Sequence, residues 1–88
     1  MINEKEKNII IKYAKKYNVS KIFLFGSSLV QDEYNDIDLA VSGIKPDLFF
    51  KFYGDLLRNL TKPVDLVDLS QKSFFIQIIQ KNGVKIYG

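Results

Sequence analysis

The chain has 88 residues, room for one domain and one modest core, because a domain of this size buries only about two-thirds of the surface its unfolded chain exposes. Histidine and cysteine are both absent, which excludes a disulfide scaffold, an ordinary zinc site, a Cys-His pair and a Ser-His-Asp triad, and leaves carboxylates and hydroxyls to carry any chemistry. The net charge of +3 sets twelve lysines and one arginine, Arg58, against ten acidic residues, a poor inventory for reading bases or clamping phosphates bidentately.

From Asn3 to Tyr17, Ile9, Ile10, Tyr13, Ala14 and Tyr17 recur at helical spacing, which predicts an amphipathic helix stopped by Asn18. The lysines at 5, 7, 12, 15 and 16 read as its solvated face. Lys21 to Phe25 is a short apolar run ending at Gly26, expected to be a strand buried on both faces, followed by a turn or short helix from Ser27 to Val30. Residues 31–35 are polar and turn-prone, and Asp36 to Val41 then alternates strictly, giving a strand with Ile37, Leu39 and Val41 on one face and Asp36, Asp38 and Ala40 on the other.

Pro46 opens a helix running to Leu60, with Leu48, Phe52, Leu56 and Leu60 every four residues beside Phe49, Tyr53 and Leu57. Not all of its aromatics can face one small sheet, so the surplus marks a contact surface. Pro63 to Leu69 reads as a strand, with Asp65 expected to be partly buried in its apolar run. Ser70 caps a last helix carrying Phe74, Phe75, Ile78 and Ile79 and ended by Asn82-Gly83, and Val84 to Tyr87 forms a final strand. The order α-β-(α)-β-α-β-α-β, without repeat or linker, predicts one α/β (α+β) domain over residues 1–88, a small mixed sheet packed by helices. The polar start and the lack of any apolar run near the roughly 20 residues of a membrane span predict a cytoplasmic protein with neither a membrane nor a nucleic acid as partner.

Two features point to chemistry. At Gly26-Ser27-Ser28 a buried strand meets a turn in which glycine lets backbone N–H groups approach a phosphate and serine offers a hydroxyl. At Asp36-Ile37-Asp38 a period of two sets both carboxylates on one strand face, about 7 Å apart at Cα, where a cation such as Mg²⁺ removes their repulsion. A third carboxylate comes from the later strand, where Asp65 and Asp68 lie on opposite faces; Asp65, deeper in the apolar run, is the first choice and Asp68 the alternative.

Taken together, Phe25-Gly26-Ser27, then Asp36-Ile37-Asp38-Leu39-Ala40-Val41, then Pro63-Val64-Asp65-Leu66-Val67-Asp68 resemble the DNA polymerase β-type nucleotidyltransferase superfamily, and more narrowly the minimal nucleotidyltransferase (MNT) antitoxins encoded beside HEPN toxins. The resemblance implies that Gly26, Ser27 and Ser28 hold the triphosphate of ATP, that Asp36, Asp38 and Asp65 bind two Mg²⁺ ions, and that Asp65 also helps to deprotonate the acceptor. It further implies transfer of AMP to a hydroxyl, a tyrosine, of a HEPN-type partner, and assembly as a homo- or hetero-oligomer. Eight residues separate Ser27 from Asp36, fewer than the family usually has, and Ser28-Leu29-Val30-Gln31 stands where arginines and a glycine are common. The alternative reading is therefore a module that neutralises its partner by binding, without catalysis.

Overall fold

The computed structural model describes residues 2–26, 33–70 and 74–88. Helix α1 (Glu4–Lys16) starts with a reciprocal cap: the Asn3 side chain accepts from Glu6 N–H at 2.8 Å, and Glu6 Oε1 accepts from Asn3 N–H at 3.0 Å. Glu4 and Glu6 in the first turn and Lys15 and Lys16 in the last agree in sign with the helix dipole. Tyr17 is the C-cap, and Asn18 ends the helix in the left-handed region at φ 55°.

Strands β1 (Lys21–Phe25), β2 (Ile37–Ser42), β3 (Val64–Asp68) and β4 (Val84–Tyr87) make one sheet in the order β3-β2-β1-β4. β1 runs antiparallel to both β2 and β4, whereas β2 and β3 are parallel, so the sheet is mixed as expected. A parallel pair needs a crossover of a dozen or more residues, and helix α2 (Pro46–Asn59) supplies it. Helix α3 (Phe74–Asn82) then leads through Gly83 into β4. The expected turn or short helix at 27–30 and the cap of the last helix fall on or beside residues 27–32 and 71–73, outside the described residues.

Alternation along the strands divides the core. On one face Ile22, Leu24, Ile37, Leu39, Val41 and Val64 pack against Ile10 and Ala14 of α1 and Phe52, Leu56 and Leu60 at α2. On the other, Ala40 packs with Leu69, Ile76 and Ile79, against partly buried Phe23, Phe25 and Val67. Among the described residues, helix α3 packs on this second face, whereas two helices pack on the first. Among the described side chains of α3, Ile76 and Ile79 are buried and Ile78 is 41% exposed.

Hydrogen bonds from α2 fix the crossover. Tyr53 Oη donates to the Val64 carbonyl at 2.5 Å, tying the helix to the start of β3. Asp55, buried where α1 meets α2, accepts from the Tyr17 hydroxyl and from Arg58, with Lys16 Nζ at 3.4 Å. These donors hold the Asp55 carboxyl down at about 2, the Tyr17 hydrogen bond being the largest influence. Tyr17 also meets the Phe52 ring edge-on, with centroids 5.8 Å apart.

Candidate active site

The parallel register pairs Asp38 of β2 with Asp65 of β3, and the antiparallel register pairs Asp38 with Phe25 of β1. Residues directly opposite on neighbouring strands point to the same face, so both carboxylates lie on the α3 face, with their backbones one sheet spacing, about 4.8 Å, apart. Gly26 follows Phe25 at the end of β1, in the left-handed region at φ +71°. A Cβ there would sit 2.3 Å from Asp38 Oδ2, so the turn is packed directly onto this carboxylate and only glycine allows the approach.

Asp36 precedes Ile37, the first residue of β2 to pair with β3. The sheet therefore holds Asp38 and Asp65 side by side, while Asp36 is an exposed residue at the strand's approach. Among the described residues no group of three or more acidic side chains comes together as a metal-holding set. Asp65 is exposed rather than partly buried, in keeping with the place of β3 at the end of the sheet order. Asp68 lies on the other face of β3, where its Oδ1 accepts from Ser70 N–H at 2.9 Å in a local turn. Ser27 and Ser28 are outside the described residues.

The donor set fits a hard divalent cation. Asp38 and Asp65 offer carboxylate oxygens held in register by the ladder, a donor chemistry that suits Mg²⁺, which takes one or two carboxylates together with phosphate oxygens.

One group that composition and spacing do not point to stands behind the site. Glu6 of α1 is 6% exposed and accepts from the Tyr34 hydroxyl as well as from Asn3, with Lys62 Nζ 3.8 Å from its other oxygen and 3.6 Å from the Tyr34 ring centroid. Burial, followed by the Glu6 hydrogen bond and charge, pushes the Tyr34 hydroxyl up to about 12. The Asn3-x-x-Glu6 spacing is the only trace of this group in the sequence, and it announces a helix start, not a tertiary contact.

The sequence pattern of the polymerase beta nucleotidyltransferase family matches residues 8–88. This chain belongs to that family. Comparison with curated proteins gives no match. Solved structures similar to this nucleotidyltransferase include the toxin–antitoxin complex MntA-HpeT carrying two aspartate-to-glutamate changes, at 28% identity and TM-score 0.78, where the alignment covers 99% of this chain and 74% of that one. A toxin–antitoxin complex with AMP-PNP aligns at 30% identity and TM-score 0.74, covering 93% and 73%. The third is a tri-AMPylated Shewanella oneidensis HEPN toxin in complex with MNT antitoxin, at 30% identity and TM-score 0.73, covering 94% and 70%. The mixed sheet and helices of this chain are thus those of a nucleotidyltransferase fold. Among the described residues no helix is long and apolar enough to cross a membrane.

Proposed function

We propose that this nucleotidyltransferase is an antitoxin that transfers AMP from ATP to a tyrosine hydroxyl of a HEPN-type toxin. The observation that carries the reading is the parallel register of Asp38 with Asp65 against Gly26, in a fold shared with an MNT antitoxin bound to an AMPylated HEPN toxin. Two further points support it. A similar complex contains AMP-PNP, and the two aspartates changed in another are spaced two residues apart, as Asp36 and Asp38 are here.

In this reading Asp38 and Asp65, with Asp36 beside them, would hold Mg²⁺, which neutralises triphosphate charge and favours departure of pyrophosphate. Gly26, with Ser27 and Ser28, would receive the β- and γ-phosphates. Asp65, open to solvent at the sheet's edge, takes the proton of the acceptor hydroxyl as that oxygen bonds to the α-phosphorus. The bond from the α-phosphorus to the bridging oxygen breaks, and pyrophosphate carries that electron pair away. The acceptor hydroxyl would be presented by the HEPN-type partner, as the AMPylated toxin in the similar complex suggests.

Incubation of the protein with a HEPN toxin, Mg²⁺ and α-labelled ATP tests this. Label should appear on the toxin and be lost with Asp38→Ala and Asp65→Ala. Absence of label with the unaltered protein, or undiminished label with both variants, excludes the enzyme reading. A second reading, neutralisation by occlusion, draws on Phe50, which is 78% exposed beside a groove formed with Pro46, Phe49, Val67 and Asp68. Neutralisation that survives loss of Asp36, Asp38 and Asp65 together would favour it.

A further inference from the structure

We propose that Glu6, Tyr34 and Lys62 are positioning residues that set the starts of the two carboxylate-bearing strands, and so the spacing of the cation-binding pair; this rests on the nucleotidyltransferase reading above. Tyr34 lies two residues before Asp36, and Lys62 three before Asp65. Both meet Glu6, which is anchored on the first turn of α1. Three distant segments are therefore joined at one buried point, at the end of the sheet where Asp38 and Asp65 stand. Directly beside it, Ile37 N–H donates to the Pro63 carbonyl at 2.9 Å, the first hydrogen bond between β2 and β3.

A carboxylate this deeply buried is costly unless donors and a cation surround it. Capping α1 asks of Glu6 only the bond to Asn3 N–H. The hydroxyl of Tyr34 and the ammonium of Lys62 are additional, and each fixes a direction that an apolar contact would leave loose. A tyrosine clamped at both ring and hydroxyl fixes the segment that leads into β2, and this holds Asp38 level with Asp65. Groups hydrogen-bonded directly to metal ligands alter metal affinity by about 10–100-fold when removed, and residues acting at one remove, through the strand starts, belong at the low end of that range.

Tyr34→Phe keeps the ring under Lys62 and deletes the hydroxyl; Glu6→Gln keeps the acceptor for Asn3 and deletes the charge. Each variant, shown by circular dichroism to be folded, is compared with the unaltered protein for Mn²⁺ affinity by electron paramagnetic resonance and for amide hydrogen exchange. The expected result is Mn²⁺ affinity weakened about tenfold or more, together with faster exchange at Ile37 while Leu39 and Val41 are unchanged. Unaltered Mn²⁺ affinity or unaltered Ile37 exchange in a folded variant overturns the proposal. If one variant does not fold, the other decides. Failure of the unaltered protein to bind Mn²⁺ overturns instead the reading on which the proposal rests, and the Ile37 comparison separates the two outcomes.

Discussion

At Gly26 two constraints coincide: a left-handed backbone and a carboxylate oxygen where a side chain would begin. Gly26→Ala should destabilise the fold by about 1–2 kcal/mol through the backbone alone, and should displace Asp38. Thermal melts and Mn²⁺ titration check both parts, and the loss of Mn²⁺ affinity should exceed what the drop in stability explains. Asp55 gives a pH-dependent prediction. Its carboxyl is held at about 2, below the ordinary 3.8, so its contribution is complete above about pH 4 and disappears as pH falls through 2. Asp55→Asn should therefore melt below the unaltered protein at pH 7, with the gap closing between pH 4 and pH 2. At this scale the strand positions of Asp38 and Asp65 and the turn at Gly26 were legible, because acidic residues stand out in strand patterns and a glycine closes an apolar run. Glu6, Tyr34 and Asp55 were not, because their tertiary partners lie 28 to 56 residues away and each alone resembles a surface residue.

Helix α2 shows what periodicity conveys and what it leaves out. Its span was readable from Pro46 and the four-residue recurrence of Leu48, Phe52, Leu56 and Leu60, and it ends one residue before the expected Leu60, which is the C-cap. The pattern did not say which aromatic would be surplus. Phe52 is fully buried, Phe49 and Tyr53 are intermediate, and Phe50 is open. Phe52→Ala should cost about 3–5 kcal/mol, whereas Phe50→Ala should leave stability within about 0.5 kcal/mol. Chemical denaturation separates them, and a large loss at Phe50 would mean that its ring is part of the core. The exposed Asp65 has the same origin: an apolar run identifies a strand, but only the strand order reveals that β3 has a neighbour on one side.

For the molecule as a whole, the mixed sheet and its helical covers followed from element order, but the pairing did not. That β2 runs beside β3 in parallel, level at Asp38 and Asp65, is a property of the crossover through α2 and is written in no local pattern. On the proposed reading this pair holds a divalent cation, and a bound ion stabilises the fold that binds it. Mg²⁺ at ten times its dissociation constant should add about 1.4 kcal/mol of stability, seen as a rise in melting temperature of roughly 6–11 °C. The rise should vanish in Asp38→Asn/Asp65→Asn, and a rise that persists there would place the ion elsewhere.

The ladder between β1 and β2 closes at Phe25 opposite Asp38, so one rung fixes both ends of the intervening connection. Lengthening a connection with fixed ends is inexpensive, since each doubling adds only about 0.6 kcal/mol of closure entropy. An insertion between Gly26 and Glu33 should therefore leave the rungs on either side in register, and the architecture tolerates variation in length at that point.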